Sequence, residues 1–71
     1  MKYDKHVEWL RNEVAKAGMT REQIANILEA DYSTVVRWLN GRMKLDKMNF
    51  LAVCYAIGIK GKVIQLYESL A

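Results

Sequence analysis

The sequence predicts an all-α domain built from five helices. The chain contains no proline, and no stretch alternates apolar and polar residues as a half-buried strand does. Three of the four glycines, Gly18, Gly41 and Gly58, follow segments of helical apolar spacing, where glycine commonly ends a helix. The fourth, Gly61, lies in the link before the last helix. A chain of 71 residues suffices for one small core, so residues 1–71 are expected to form a single domain.

Helix one is predicted from Lys5 to Ala17, with Asp4 as its N-cap. Four apolar residues share one stripe of this helix, as expected for a face that packs on a core. They are Val7, Leu10, Val14 and Ala17. Trp9 lies beside the stripe, where it either covers the edge of the core or joins a contact with a partner.

Helix two is predicted from Arg21 to Leu28 and has the clearest start signal in the chain. Thr20 and Gln23 have the spacing of a capping box, and Met19 and Ile24 have that of a hydrophobic staple. The inward stripe consists of Ile24, Ala25 and Leu28. The single methyl group of the alanine allows another helix to approach closely.

Helix three is predicted from Tyr32 to Asn40, with Asp31 as its cap and Gly41 at its end. Its inward residues are Val35, Trp38 and Leu39, and its outward residues are Tyr32, Ser33, Val36, Arg37 and Asn40. Hydrogen-bonding and methyl-bearing side chains on the outer face of a helix can read base edges in the DNA major groove. The pattern therefore favours a DNA-reading helix that follows helix two after a tight turn.

Helix four is predicted from Lys47 to Ile57 and is apolar nearly all round, which is typical of a central or shared helix. Helix five is predicted from Lys62 to Leu70, with Ile64 outside its apolar stripe of Val63, Leu66, Tyr67 and Leu70. Apolar residues make up 52% of the chain, which is rich for so small a domain. We therefore expect Ile64 and the second face of helix four to contribute to a two-fold interface with another copy of the chain.

The stretch from Thr20 to Arg42, TREQIANILEADYSTVVRWLNGR, resembles the helix-turn-helix of the phage Cro/repressor family. The usual family run is similar to T-Q-E-x-L-A-x-x-L-G-V-S-x-x-x-I-x-x-W-x-x-G. The matching positions are Thr20, Glu22, Ile24, Ala25, Leu28, Asp31, Val35, Trp38 and Gly41. The segment from Leu45 to Ile59 resembles the next helix of the family, with Asp46 at its cap. The resemblance implies a five-helix, lambda-repressor-like DNA-binding domain whose helix-turn-helix spans about residues 20–40.

Two residues depart from the family pattern. Glu29 stands in the turn where the family usually has glycine, at a site that often requires positive φ and strains other residues. Arg21 replaces the common glutamine, which keeps a hydrogen-bond donor and adds a charge.

The net charge of +3 and the pI near 9.2 are only mildly indicative of a nucleic-acid partner, but the distribution of charge is more informative. From Arg37 to Lys62 there are six basic residues and one acidic residue, whereas residues 1–36 carry five basic and six acidic ones. The positive charge begins on the predicted reading helix and continues into the loop after it. Such a patch attracts phosphates through counterion release, although it can also be a solvated surface.

Four residues of helix three are predicted to contact DNA bases. Arg37 can pair with guanine O6 and N7, although a phosphate contact or a solvated side chain is the alternative. Tyr32 and Ser33 begin the helix, where base contacts usually occur, and Val36 can meet a thymine methyl group. The family resemblance implies base or phosphate roles for Tyr32, Ser33, Thr34 and Arg37.

Phosphate contacts are predicted on both sides of that helix. Arg21 combines a cation with free N–H groups at the start of helix two. Arg42 and Lys44 would reach the DNA backbone from the loop that follows helix three, and Asn40 leaves the helix near that backbone. Thr34 can add a hydroxyl contact.

The sequence offers little from which an enzyme could be built. His6 is the single histidine, has only Glu13 at a suitable spacing, and is expected on the surface, so neither a metal site nor a cofactor is predicted. Cys54 is interpreted as a small apolar residue of helix four rather than a redox switch. No membrane helix or signal peptide is evident, and the cytoplasm of a bacterial or phage-infected cell, close to the nucleoid, is the expected location.

The preferred interpretation is a Cro-like repressor that occupies a pseudo-palindromic double-stranded operator as a homodimer. Little of the chain remains for a ligand-binding or activation domain, so no small-molecule ligand is expected. An antitoxin-like autoregulator or an activator is the alternative within the same class. A helical adaptor that binds protein is the alternative from another class, and salt-dependent binding to duplex DNA would separate it from the others.

Overall fold

The computed structural model describes residues 3–70, all of whose regular secondary structure is helical. The predicted domain, 1–71, extends beyond this range by Met1, Lys2 and Ala71. The five helices of the described range are α1 (Lys5–Ala17), α2 (Arg21–Leu28), α3 (Tyr32–Leu39), α4 (Lys47–Ala56) and α5 (Val63–Leu70). The predicted all-α class and helix number are therefore confirmed.

The bounds of α1 and α2 agree with the prediction, whereas the other three helices differ from it by one residue. Asn40 and Ile57, predicted as the last residues of α3 and α4, have φ near −94° and −93° with ψ of 0° and 6°. Each precedes a glycine of positive φ that closes the helix end, so neither continues the helix. Lys62, predicted as the first residue of α5, lies in the bend before it.

One buried cluster links the helices. α1 packs against α3 and α5, α2 packs against α3 and α4, and α4 packs against α5. The largest fully buried side chains are Phe50, Leu10, Ile24, Leu39, Leu45, Val35, Val53 and Cys54. Trp9 covers the edge of this core, with its ring centroid 5.7 Å from that of Phe50.

The start of α2 has the predicted capping box. The Gln23 backbone N–H donates to Thr20 Oγ1 at 3.1 Å, and the Thr20 N–H donates to Gln23 Oε1 at 2.8 Å. Met19 packs against the core, as a staple residue should. These contacts satisfy backbone donors that a helix start otherwise leaves open.

The turn between α2 and α3 contains the one non-glycine residue of positive φ within residues 3–70. Glu29 adopts the left-handed conformation, with φ of 53° and ψ of 39°. Its N–H donates to the Asn26 carbonyl at 3.3 Å, and the Ala30 N–H donates to the Ala25 carbonyl at 2.9 Å. These two bonds form the Schellman closure that glycine usually completes, so Glu29 retains a glycine-type turn despite its side chain.

The other predicted caps have unequal roles. The Asp46 carboxylate accepts a hydrogen bond from the Asn49 N–H at 2.9 Å. Asp4 and Asp31 occupy the N-cap positions of α1 and α3 with extended backbone, but their side chains make no capping hydrogen bond. At these two helix starts, the prediction is right about which residue occupies the N-cap position. It is wrong about the side-chain hydrogen bond expected there.

The prediction that His6 lies on the surface is wrong. His6 is 8% exposed, and its Nε2 lies 3.0 Å from the Leu45 carbonyl oxygen. The rings of Phe50 and Tyr67 pack edge-on against it, at centroid distances of 6.1 and 5.3 Å. Because a carbonyl oxygen can only accept, His6 Nε2 carries the proton and donates to it.

Cys54 is a core residue, as predicted. Its side chain is fully buried, and this burial, together with the negative charge of Glu13, raises the pKa of the thiol to about 11. The thiol therefore stays protonated at neutral pH, in a form that reacts slowly with electrophiles.

Candidate nucleic-acid interface

The two faces of α3 have opposite environments. Val35 and Leu39 are fully buried and Trp38 is 7% exposed, so the predicted inner face is confirmed. Tyr32, by contrast, is 56% exposed. The buried residues fix the rotation of α3 about its own axis, and this rotation determines which side chains face the solvent.

Three of the four predicted base-contact residues are exposed: Tyr32, Ser33 and Arg37. Val36, the fourth, is half-buried. Residues separated by four positions in a helix are neighbours on its surface, so Arg37 lies next to Ser33, and Val36 lies next to Tyr32, one turn further along α3. The four side chains thus form one contiguous patch that consists of an aromatic ring, a hydroxyl, an isopropyl group and a guanidinium.

Arg21 lies on one side of this patch. An open groove between the starts of α2 and α3 is lined by Met19, Thr20, Arg21, Glu22 and Tyr32. The structure therefore brings a predicted phosphate contact, Arg21, and a predicted base contact, Tyr32, to the same depression. Glu22 adds a negative charge at its rim, so the groove is not uniformly basic.

Arg42 and Lys44 lie beyond the C-terminal end of α3, in its connection to α4, and both are exposed. The start of this connection is held by backbone hydrogen bonds. The Arg42 N–H donates to the Arg37 carbonyl at 2.9 Å, and the Gly41 N–H donates to the Trp38 carbonyl at 3.3 Å. The remaining predicted phosphate contacts, Thr34 and Asn40, are half-buried at the edges of α3.

Among residues 3–70, the cations of this surface form no ion pair with an acidic side chain. In the part of the chain that the structure describes, the ion pairs join Lys16 to Glu13 at 3.1 Å and Lys47 to Glu68 at 3.8 Å. Neither pair involves Arg21, Arg37, Arg42 or Lys44. Three of these cations, Arg37, Arg42 and Lys44, are exposed, and Arg21 is half-buried.

Arg11 is a residue of this region that the sequence analysis missed. Its guanidinium donates to the Leu39 backbone carbonyl and, at 3.4 Å, to Oδ1 of Asn40. The guanidinium carbon also lies 4.4 Å from the centroid of the Tyr3 ring. The spacing of α1 could have indicated this residue, because Arg11 lies four residues after Val7 and three before Val14, along the apolar side of the helix.

Among residues 3–70 there is no cluster of three or more histidine, cysteine or acidic side chains that could hold a metal ion. No helix in that range is long and apolar enough to cross a membrane. Comparisons with models of known protein families, with characterised proteins and with solved structures gave no match.

Proposed function

We propose that this protein is a sequence-specific transcriptional regulator that binds double-stranded DNA through a lambda-repressor-like helix-turn-helix. In this proposal α2 and α3 are the two helices of the motif, and α3 is the recognition helix. The observation that carries the proposal is the exposed patch on α3, flanked by cations that have no acidic partner among the described residues. An eight-residue helix is about 12 Å long and 10–12 Å wide with its side chains, which suits the major groove.

Each part of the surface has a chemical role in this proposal. Arg37 donates two hydrogen bonds to a guanine edge, and Tyr32 and Ser33 contact bases at the start of α3. Val36 meets a thymine methyl group with the exposed part of its side chain. Arg21, Thr34, Asn40, Arg42 and Lys44 contact the phosphates that border the groove.

The regulator is proposed to act as a Cro-like repressor at the nucleoid, where it occupies a promoter and excludes polymerase or a rival regulator. One short helix reads only a few base pairs, whereas two copies related by two-fold symmetry read twice as many. The operator is therefore proposed to be pseudo-palindromic and the bound form a homodimer. An antitoxin-like autoregulator or an activator would use the same surface.

The proposal is tested by the salt dependence of binding to a duplex of mixed sequence. We expect the slope of log affinity against log salt to be about −4 to −8 per dimer, because several phosphates are contacted on each half. Affinity that is indifferent to salt would exclude the DNA-binding proposal and favour a protein-binding adaptor.

A matched pair of variants locates the binding surface. Replacing both Arg42 and Lys44 with alanine should flatten the slope by about 0.9 for each lost phosphate contact. Replacing Lys5 and Lys16 removes the same charge from exposed positions of α1 and should leave the slope nearly unchanged. Equal effects of the two double variants would show that only the net charge matters.

A further inference from the structure

α1 holds both ends of the connection between α3 and α4. At the start of the connection, Arg11 donates to the Leu39 carbonyl and to Oδ1 of Asn40. At its end, His6 Nε2 donates to the Leu45 carbonyl at 3.0 Å. Since His6 and Arg11 belong to the same helix, one rigid element fixes the span of a seven-residue segment, 39–45, that carries two exposed cations.

The Tyr3 ring packs against both Arg11 and Gly41. It lies under the Arg11 guanidinium, and a Cβ atom added at Gly41 would come within 3.1 Å of its Cδ1 atom. A cation held against an aromatic ring is attracted by the ring and loses freedom to turn away. The guanidinium is thus constrained by an aromatic ring and by two oxygen acceptors.

The contact with Asn40 also orients its amide group. Arginine has only donors, so the amide oxygen must face Arg11 and the NH₂ group must face away from it. A phosphate oxygen has only lone pairs to offer and needs a donor. The orientation that Arg11 imposes is therefore the one in which Asn40 can bind the DNA backbone.

We propose that Arg11 is a positioning residue for DNA binding. It orients the Asn40 amide before DNA arrives, and its bond to the Leu39 carbonyl stabilises the end of α3. A cation next to the last carbonyls of a helix is also favourable to the helix dipole. This inference rests on the proposed function, but it assigns to α1 a role in binding that does not require α1 to touch DNA.

The test compares R11M with K16M in the full chain. R11M keeps an apolar stem against Tyr3 and removes the charge and the donors, whereas K16M removes one charge from an exposed position of the same helix. R11M should weaken binding to a mixed-sequence duplex by about threefold to tenfold, the range expected from losing the Asn40–phosphate hydrogen bond on one or both halves of the dimer. Its salt slope should match that of K16M, because Asn40 is neutral and releases no counterion. A slope lower than that of K16M by about 0.9 per chain would mean that Arg11 itself contacts a phosphate, and would overturn the proposal.

A second measurement asks whether Arg11 acts through Asn40. In a chain that already carries N40A, adding R11M should change the affinity less than twofold, because the amide that Arg11 orients is gone. If the two fold-changes multiply, Arg11 acts elsewhere and the inference is wrong. R11K should recover part of the lost affinity, since its ammonium can still donate to one of the two acceptors.

Hydrogen exchange in the free protein provides a measure that does not depend on DNA. R11M should speed exchange of the Gly41, Arg42 and Met43 amides, which donate to the Trp38 and Arg37 carbonyls, without changing amides inside α2. Equal exchange in R11M and K16M would overturn the positioning role. If the original protein binds no duplex DNA, the proposed function fails on its own, while the exchange experiment still reports whether Arg11 holds the segment.

Discussion

The α2–α3 pair and the α4–α5 pair use apolar residues in different ways. In α2 and α3 the apolar stripes face the core, and the exposed large apolar side chains are Ile27, at 48%, and Tyr32, at 56%. In α4 and α5 several large apolar side chains face solvent: Met48 is 71% exposed, Tyr55 is 76% exposed and Ile64 is 50% exposed. No side chain of α5 is buried. The other exposed residues of the first pair are polar, whereas the second pair exposes three large apolar side chains that a single copy does not cover.

This difference suggests two surfaces with different partners. The polar patch and cations near α3 suit DNA, and the exposed apolar residues of α4 and α5 suit a second copy of the chain. Met48 and Tyr55 are seven residues apart, so they lie on one side of α4 as a contact stripe would. We expect the proposed interface on so small a chain to be modest, so that the free protein is largely monomeric at micromolar concentration and pairs on DNA.

The largest expected effect separates an inner from an outer aromatic residue. Trp38→Ala should lower the free energy of unfolding by about 3–5 kcal/mol, because it removes a large side chain from the core. Tyr55→Ala should change it by no more than about 0.5 kcal/mol in dilute protein. Urea denaturation monitored by circular dichroism measures both. A loss of similar size for Tyr55→Ala would mean that its ring is covered within a single chain, as the ring of Trp38 is.

The second prediction concerns the spacing of the half-sites. A two-fold dimer places its recognition helices about 34 Å apart, so that half-sites fall roughly 10 base pairs centre to centre. Inserting five base pairs would put the half-sites on opposite faces of the duplex and abolish cooperative binding, at a cost of about 2–5 kcal/mol of specific free energy. The measurement is a gel-shift titration on the two duplexes. Unchanged affinity would mean that the protein works as a monomer or with another geometry.

The third prediction separates base contacts from phosphate contacts. Arg37→Ala should cost about 1–3 kcal/mol per half-site and relax the preference at one base pair. Lys44→Ala should weaken binding to all sequences alike and flatten the salt slope. Selection of sites from a random duplex library compares the two. If Arg37→Ala left the selected sequence unchanged, Arg37 would be a phosphate contact.

The smallest predicted effect concerns the turn inside the α2–α3 pair. Glu29→Gly should stabilise the protein by about 0.5–1 kcal/mol. Glycine removes the strain of the left-handed backbone, and the larger conformational entropy of glycine in the unfolded chain cancels only part of that gain. Gly18→Ala is the matched control: φ is 68° and there is free space around the Cβ, so a loss of about 1 kcal/mol is expected from backbone conformation alone. Thermal unfolding measures both changes. Destabilisation by Glu29→Gly would show that the Glu29 carboxylate stabilises the turn by more than its backbone costs.

The sequence predicts the local features of this protein well and its long-range contacts poorly. The capping box at Thr20 and the inward face of α3 each follow from residues within a few positions of one another, whereas the demanding turn at Glu29 was expected from the family resemblance. The burial of His6 and the contacts of Arg11 do not, because their partners lie 39 and 28 residues away. The spacing of apolar residues shows that a polar side chain such as His6 lies next to the core-facing stripe of its helix. It does not show which backbone carbonyl, far away in the sequence, that side chain will contact.

The same limit applies to the candidate site. Spacing alone placed Tyr32, Ser33 and Arg37 on an exposed face, but it did not indicate that Val36 is half-buried or that Asn40 is held by Arg11. Asp31 shows the converse limit, since its residue type predicts a capping bond that the side chain does not make. Such details depend on how neighbouring helices approach, which a periodic pattern does not encode.

The burial of Cys54 gives this protein an internal probe of its own opening. The chain has one thiol, which lies in the core, so an alkylating reagent can reach it only in molecules whose core has opened. The labelling rate of the unmodified chain, divided by the rate of the unfolded chain, gives the open fraction at concentrations too low for dimers. A ligand that binds only the folded form reduces that fraction by the factor 1 + [L]/Kd. Slower labelling in the presence of a duplex would therefore measure affinity without a tag, a dye or a substitution, and would rank candidate operator sequences directly.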